Sequence, residues 1–237
     1  MISRKLIDKY YPSDKFDGTR LFYDFLGENL NKEFTVLNFG AGHTSGNKVK
    51  SLKGKVKCVY GVDIDKEVLS NQDLDIKICL KDNLLPFEND HFDLVWSDFV
   101  LEHIENPKIS FKEIYRVLKP GAPFYFRTPN IYHYVSVISK LTPHWFHVFV
   151  VKTLCSLPED SHEAYRTFYR ANSRSDLLKL AQKAGFNKID LRFIEMEPSY
   201  LLFNELAFYL GLTYERLVNK FDALKCFRAN IFGKLTK

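Results

Sequence analysis

The sequence predicts an α/β fold, in which helices cover both faces of a doubly wound, mostly parallel β-sheet. Short apolar runs of strand length alternate with longer segments whose apolar residues recur at helical spacing. Each of the first five runs ends in Gly, Asp, Asn, Ser or Pro residues, where a strand gives way to a turn. Strands that alternate with helices in this way form parallel sheets.

The first half of the chain supplies five strands and two clear helices. Apolar residues at helical spacing predict one helix over residues 19–30 and another over residues 109–118, which a Lys-Pro-Gly sequence ends. Short apolar runs with β-branched residues predict the strands. The five strands are predicted at Glu33–Phe39, Val56–Val62, Ile76–Leu80, Phe92–Trp96 and Phe124–Arg127.

The second half departs from this alternation. Residues 131–172 are rich in aromatic and histidine residues and show no clean period. The pattern then predicts a helix at Ser175–Ala184, an alternating strand at 189–193, a helical pair at 199–222 and a last strand at Phe227–Leu235. We interpret 131–172 and 199–222 as insertions that cover the substrate. Because no linker or repeat interrupts the chain, we predict a single domain over all 237 residues.

Composition and charge exclude several classes of protein. The net charge of +5 comes from 34 Lys and Arg against 29 Asp and Glu spread along the chain, so no basic face for nucleic acid is expected. The four cysteines lie far apart without a Cys-x-x-Cys pair, which predicts reduced thiols rather than a zinc or redox site. The charged start and the lack of a long apolar run predict a cytoplasmic protein without a signal peptide or membrane span.

The residues that follow each strand form the candidate site, because open α/β sheets bind ligands beyond the carboxyl ends of their strands. Gly40 and Gly42 flank Ala41 after the first strand, where glycine lets the backbone approach a ligand closely. Asp63 follows the second strand, where a carboxylate can accept both hydroxyls of a ribose. A helix N-cap is the alternative role for Asp63.

The third strand ends at Asp82 and Asn83. Their carboxylate and amide groups can hydrogen-bond the amino group of an adenine while Ile64 and Leu84 cover its faces. An Asx turn is the alternative for the same two residues. Each of these sites is ordinary by itself, and their occurrence at successive strand ends in this order is what makes the pattern specific.

Five segments extend the pattern through residues 34–130: VLNFGAG, GVDID, KDNLLPF, FDLVWSDFVLEHIENP and FKEIYRVLKPGAPFYFRTPN. Together they resemble the class I S-adenosylmethionine (SAM)-dependent methyltransferases. The resemblance implies a Rossmann-like sheet of seven strands whose last strand is antiparallel, with SAM as the cofactor. It assigns cofactor binding to Asn38, Gly40, Ala41, Gly42, Asp63, Ile64, Asp82, Asn83, Leu84 and Ser97.

Two rival functions stay open beside the methyltransferase. The family usually has an acid at position 38 that holds the cationic amino group of the methionine part, and Asn38 supplies no charge. That departure is the only support for a degenerate SAM-fold protein that binds without catalysis. A nicotinamide-dependent oxidoreductase is disfavoured by Ser45, which stands where a dinucleotide motif needs its third glycine, and by the Leu-Lys-Pro-Gly and Thr-Pro-Asn segments.

A hydroxyl acceptor needs a general base, and two places supply one. Glu102 and His103 follow the fourth strand, and His133 follows the fifth. The alternatives are a half-exposed loop histidine for His133, and a pair that only orients the next helix for Glu102 and His103. Some related enzymes bind a metal near this point, but Phe99 stands where another acid is needed, so no metal is expected.

The acceptor is predicted only by class. Residues 157–219 resemble, more loosely, uncharacterised bacterial proteins found among polysaccharide-biosynthesis enzymes. We therefore expect methyl transfer to an oxygen of a sugar or lipid-linked glycan intermediate, with N- or carboxyl-methylation of another small molecule as the alternative. The aromatic segment 131–172 fits a pocket wall, plain core, or a peripheral membrane contact at His144–Val151.

Three arginines suggest how an anionic acceptor would bind. Arg166, Arg170 and Arg174 recur at intervals of four, which predicts a row on one helix face. Such a row suits a phosphate or carboxylate, and a solvated helix face is the alternative.

Overall fold

The computed structural model describes residues 4–12, 17–82, 84–141, 166–198 and 201–237. The chain forms two compact units, each assembled from three separate stretches, which we call the sheet unit and the helical unit. The predicted single domain stays a prediction. The sheet unit comprises Phe22–Thr128, Thr167–Arg192 and Ile231–Lys237, and the helical unit comprises Met1–Leu21, Pro129–Arg166 and Phe193–Asn230.

Seven β-strands and six α-helices lie in the described parts of the chain. All seven predicted strands are present, with ends displaced by at most three residues. Short 3-10 turns occupy Lys66–Ser70, Leu101–His103 and Asp222–Phe227. The strands are β1 (Thr35–Phe39), β2 (Cys58–Asp63), β3 (Ile76–Cys79), β4 (Leu94–Asp98), β5 (Pro123–Pro129), β6 (Lys188–Ile194) and β7 (Asn230–Thr236), and the helices are α1 (Arg4–Tyr10), α2 (Gly18–Gly27), α3 (Pro107–Val117), α4 (Tyr134–Leu141), α5 (Arg174–Ala184) and α6 (Glu205–Lys220).

The strands form one sheet in the order β3-β2-β1-β4-β5-β7-β6. Strands β1 to β5 pair in parallel, so their carboxyl ends lie at one end of the sheet. β7 runs antiparallel to β5, because backbone hydrogen bonds join Ala122 to Lys237 and Asn130 to Ala229. The predicted fold class, a doubly wound, mostly parallel sheet of seven strands, is confirmed.

Helix α2 shows how aromatic residues build the core of the sheet unit. It buries Phe22, Phe25 and Leu26 on one face. The Phe22 ring packs edge-on against Phe232 of β7 at 5.3 Å between centroids, and Phe25 packs against Tyr125 of β5 at 5.0 Å. Each buried aromatic side chain contributes roughly 1.5–3 kcal/mol. The high aromatic content of the sequence therefore serves, in this part, as core.

Helix α6 organises the helical unit. Asn204 accepts a hydrogen bond from the N–H of Ala207 at 2.8 Å and so caps the helix N-terminus. The buried face of α6 packs Phe208 and Leu212 against Tyr11, and residues of α1 join this cluster. In the part of the chain that the structure describes, every helix falls short of the length and apolarity that a bilayer span requires.

Two predictions for the second half of the chain are corrected. The helical pair predicted at 199–222 is, among the residues described there, one α-helix followed by a 3-10 turn. The arginine row is wrong: Ser173 caps α5 by accepting from the N–H of Asp176, so the helix begins at Arg174. Arg170 lies before the helix and donates to the carbonyl of Glu105 at 2.6 Å.

Much of the predicted aromatic cover lies outside the described residues. The structure describes neither residues 142–165 nor residues 199–200. The predicted membrane-facing stretch His144–Val151 falls within the first of these gaps. Its possible roles therefore stay predictions.

Candidate cofactor and base site

The glycine loop connects β1 to the residues beyond it. Gly40 and Gly42 have positive φ angles of 80° and 50°, which glycine adopts without strain. A Cβ atom on Gly40 would lie 2.3 Å from Cγ2 of Val100, so a larger residue does not fit there. The N–H groups of Gly40 and Ala41 donate to the carbonyl of Val62 at 2.9 and 3.0 Å. These bonds hold the loop against the end of β2.

Asp63 is the acid at the end of β2, and its carboxylate faces this loop. Oδ2 accepts from the N–H of Gly42 at 2.8 Å, and Oδ1 accepts from the N–H of Asp65 at 2.9 Å. The predicted N-cap role belongs to Asp65, which accepts from the N–H of Glu67 at the start of the 3-10 turn. Each oxygen of Asp63 keeps a further lone pair for a hydroxyl donor.

Two exposed apolar side chains follow β2 and β3. Ile64 is 68% exposed and Leu84 is 58% exposed, which is unusual for aliphatic residues beside a buried sheet. The N–H of Leu80 donates to the carbonyl of Asp63 at 2.6 Å and so brings the end of β3 beside the end of β2. Asp82 accepts from the N–H of Leu84 at 2.9 Å, which is the Asx turn named above as its alternative role.

The other three assigned cofactor residues differ in what the structure shows. Asn38 is half-buried in β1, and its side chain makes no hydrogen bond to another described residue. Ser97 is fully buried in β4, and its hydroxyl likewise has no partner in the described parts of the chain. Asn83 lies outside the described residues.

Asn71 is a residue of this site that sequence reasoning missed. Its buried side-chain amide donates to three consecutive carbonyls, those of Ala41, Gly42 and His43, at 3.0 to 3.1 Å. One side chain thus fixes the outer part of the glycine loop. No local signal identifies it, because it lies about thirty residues away in the sequence and belongs to no motif.

Glu102 and His103 lie in the 3-10 turn that follows β4. The Glu102 side chain is 5% exposed and accepts from the hydroxyl of Thr128 at 3.2 Å, while Asn172 donates to that hydroxyl at 2.7 Å. Burial raises the pKa of Glu102 to about 7, although the Thr128 hydrogen bond opposes the shift. The Glu102 carbonyl also accepts from the N–H of Phe168. Glu102 therefore connects three segments of the sheet unit.

Phe99, the residue that follows β4, lies beside the positively charged side chain of Arg127. The backbone of Phe99 has φ of 57°, rare for a bulky residue, and its ring lies 4.3 Å from the guanidinium of Arg127. Arg127 is buried and binds both carboxylate oxygens of Asp98 at 2.6 and 2.8 Å. At the position where some related enzymes have an acid that binds a metal, this chain has Phe99, and the positively charged Arg127 lies beside it. Among the described residues, no three His, Cys, Asp or Glu side chains gather as a metal site.

His133 belongs to the helical unit and is buried, so its alternative as a half-exposed loop residue is wrong. Its Nε2 atom lies 3.5 Å from Oε2 of Glu195, and its ring packs against Tyr134 and Tyr214 at 4.1 and 5.6 Å between centroids. Burial lowers the pKa of His133 to about 4. Glu195 could not be recognised from the sequence because it follows β6, 62 positions from His133, and belongs to no motif.

A family model described as a methyltransferase domain matches residues 37–126. This stretch is therefore similar to a methyltransferase domain. It contains most of β1, all of β2 to β4, the glycine loop and Asp63, so the match covers the cofactor residues described above. The domain's boundaries also include Glu102 and His103, whereas His133 follows it.

Curated relatives share this domain at modest identity. A demethylmenaquinone methyltransferase of Porphyromonas gingivalis is 29% identical over 171 residues, which cover 66% of this chain and 66% of that protein. A malonyl-[acyl-carrier protein] O-methyltransferase of Marinomonas sp. is 29% identical over 106 residues, 42% of this chain and 39% of that protein. The chain thus spans between two fifths and two thirds of the length of these relatives.

Solved structures share the fold. A SAM-dependent methyltransferase of Thermotoga maritima, described as a possible histamine N-methyltransferase, aligns with a TM-score of 0.60 over 98% of this chain and 93% of that one. The two sequences are 15% identical. At this identity the likeness establishes the Rossmann-like methyltransferase fold and nothing finer.

The residues at the ends of β1 to β3 fit SAM. Asp63 keeps acceptor capacity for the two ribose hydroxyls, and its carboxylate is already fixed by two backbone donors. Ile64 and Leu84 expose the apolar surface that an adenine ring would cover. Gly40 leaves no Cβ at the point where the loop is tightest. The methyltransferase domain thus holds groups for each part of the nucleoside.

Proposed function

We propose that the chain is a SAM-dependent methyltransferase that acts on an oxygen of a sugar or lipid-linked glycan intermediate. The observation that carries the cofactor part is the Asp63 carboxylate, which is anchored to the glycine loop and flanked by exposed Ile64 and Leu84. The methyltransferase domain match supports the reaction class. The glycan acceptor is supported only by the sequence resemblance of residues 157–219.

The chain's own residues have three roles in this proposal. Asp63 accepts the ribose hydroxyls, and Asn38 accepts a hydrogen bond from the ammonium group of the methionine part. His133 takes the proton of the acceptor hydroxyl, with Glu102 and His103 as the other candidates for this role. When bound, SAM would supply a methyl group on a sulfonium, to which the acceptor oxygen would bond as the C–S bond breaks and sulfur keeps the electron pair.

Two other acceptors deserve a direct test because the relatives name them. The Porphyromonas gingivalis protein, aligned over two thirds of this chain, is a demethylmenaquinone methyltransferase. The Marinomonas protein is an O-methyltransferase of a malonyl group on a carrier protein. A quinone is therefore the second candidate acceptor, and a carboxyl group is the third.

Calorimetry with the purified chain tests the cofactor part. We expect SAM and S-adenosylhomocysteine to bind and NADH not to bind. Asp63→Ala should lower the affinity for SAM. A wild-type chain that binds neither SAM nor S-adenosylhomocysteine would instead be the degenerate SAM-fold protein. Tight NADH binding would make the chain an oxidoreductase.

A mass-spectrometric screen tests the acceptor. The chain is incubated with SAM labelled in its methyl group and, in separate reactions, with a lipid-linked glycan fraction, demethylmenaquinone and malonyl-acyl-carrier protein. We expect label only in the glycan fraction, on oxygen. Asp63→Ala is the matched control, because label that persists in this variant comes from a contaminating enzyme.

A further inference from the structure

The helical unit buries a histidine and a carboxyl group beside each other. Nε2 of His133 lies 3.5 Å from Oε2 of Glu195, and the two side chains are 8% and 5% exposed. Burying such a pair gains little stability over an apolar pair of the same volume, because the loss of hydration offsets the attraction. The contacts around the pair indicate a role other than stabilising the fold.

The Glu195 carboxyl is held at both oxygens. Oε2 accepts from the N–H of Ala229 at 2.9 Å, and Oε1 accepts from the N–H of Met196 at 3.3 Å. The carboxyl plane is therefore fixed before any interaction with His133. A side chain that served only to fill space would not need two backbone donors.

The same backbone segment is tied to the chain that carries His133. Asn130 donates through its amide to the carbonyls of Cys226 and Arg228 at 2.6 and 2.7 Å, and its own N–H donates to the carbonyl of Ala229. The N–H of His133 then donates to the carbonyl of Asn130 at 3.1 Å. The histidine and the carboxyl group are thus attached to one hydrogen-bonded frame.

The orientation of the ring follows from its neighbours. Tyr134 and Tyr214 contact the imidazole, and the Tyr214 hydroxyl donates to the carbonyl of Phe227 at 2.6 Å. Nε2 is buried and has no hydrogen bond to a described residue, and Glu195 is its acidic neighbour. Because Nε2 is buried, the small exposed part of the side chain lies elsewhere on the ring.

We propose that Glu195 is a positioning residue that holds the proton of His133 on Nε2, so that Nδ1 is free to receive the proton of a hydroxyl acceptor. This inference rests on the proposed function, which makes His133 the base. In the step, the acceptor proton moves to Nδ1, and the Glu195 carboxylate stabilises the imidazolium through Nε2–H. The contact shortens as charge develops, as hydrogen bonds of catalytic pairs commonly do.

The arrangement has a defined pH dependence. Burial raises the pKa of Glu195 to about 8, and the negative charge of Glu215 raises it further. The hydrogen bonds from Ala229 and Met196 and the positive charge of Arg228 act in the opposite direction and lower this pKa. The phenol of Tyr214 faces the same group and stays protonated, since its pKa is raised to about 12. The carboxylate that fixes the tautomer therefore forms as the pH rises through about 8.

The experiment is a nitrogen-15 NMR titration of the His133 ring in the full chain. In the wild type we expect a step centred near pH 8, above which the proton resides on Nε2. In Glu195→Gln the step should be absent, because no carboxylate forms. Glu215→Gln is the matched control: it removes another buried carboxylate, which contacts Asn219 rather than His133. The step should persist in this variant and move to lower pH, because Glu215 no longer raises the pKa of Glu195.

Each result decides the inference. A wild-type ring whose proton stays on Nδ1 throughout the titration, or an equal step in Glu195→Gln, would overturn it, and the wild-type titration alone suffices if the variant does not fold. SAM affinity, measured by calorimetry on the same samples, separates the two proposals. Glu195→Gln should bind SAM within about twofold of the wild type, whereas a wild type that fails to bind SAM overturns the proposed function and leaves the ring titration as evidence on the pair alone.

Discussion

Glu102 is a carboxyl group whose protonation the fold controls. Its pKa of about 7 means that the folded state keeps a proton that the unfolded chain releases near pH 4.5. The stability this group contributes is complete below pH 4.5 and is lost as the pH rises to about 7. We expect Glu102→Gln to match the wild type in acid and to exceed it above neutral pH by up to about 3 kcal/mol, measured by urea unfolding.

Glu113→Gln is the control of opposite sign. Arg116 binds Glu113 through two hydrogen bonds of 2.9 and 2.7 Å and lowers its pKa, so this carboxylate stabilises the fold at neutral pH and the effect is lost in acid. The variant should be less stable at neutral pH and converge with the wild type as the pH falls. If the Glu102→Gln and wild-type curves stay parallel throughout, Glu102 is ionised in the fold.

Asp63 makes a prediction about the cofactor. Asp63→Ala removes the acceptor for two ribose hydroxyls and the anchor of Gly42, so SAM should bind more weakly by ~2–4 kcal/mol. Asp65→Ala is the matched control, because it removes only the cap of a 3-10 turn and should cost about 1 kcal/mol of stability with little effect on SAM. Calorimetry checks both, and equal SAM affinities for the two variants would remove Asp63 from the site.

The roles of single residues could be predicted where those roles depend on neighbouring residues in the sequence. Gly40, Gly42 and Asp63 stand in a strand-loop pattern whose backbone needs can be read from neighbouring residues. Asn71 and Glu195 were missed because their roles depend on contacts with residues 30 and 62 positions away, respectively. A buried polar side chain is recognisable only after the fold has placed its partners.

At the scale of elements, Gly233 gives the sharpest test. It lies in β7 over Phe126 of β5, and a Cβ atom there would come within 2.1 Å of the ring. Phe126 is fully buried and has no room to move, so Gly233→Ala should destabilise by ~1–3 kcal/mol. Gly27→Ala is the control: its Cβ would meet nothing within 4 Å, and added helix propensity should stabilise by up to about 1 kcal/mol. Equal thermal stabilities for the two variants would contradict this packing.

Strands were predicted better than helices because buried strands here are short apolar runs with clear turn residues at their ends. Helical spacing alone was less reliable. The interval of four between the arginines predicted that they share one helix face, but Ser173 is the N-cap and α5 begins only at Arg174. Capping chemistry outweighed periodicity, since spacing alone does not satisfy the free N–H groups of a helix end.

For the whole molecule, sequence patterning predicted strands that alternate with helices and end in polar residues, and the family resemblance implied a sheet of seven strands with an antiparallel last strand. It did not predict the division into two units. Their boundaries fall inside continuous elements, such as α2 and β7, rather than in linkers. Without a Gly- or Ser-rich stretch, composition carries no mark of such a boundary, and only the three-dimensional contacts reveal it.

The position of β7 has a consequence for synthesis on the ribosome. Among the described residues β7 is the last strand in the sequence, yet it lies between β5 and β6, and β6 has no other described neighbour in the sheet. At ~5–20 residues per second, roughly 2–8 seconds separate the translation of β6 from that of β7. During that interval β5 shows an open edge and β6 has no partner, and unpaired strands of this kind associate readily with other chains. The nascent protein is therefore most in need of a chaperone just before its last strand is made.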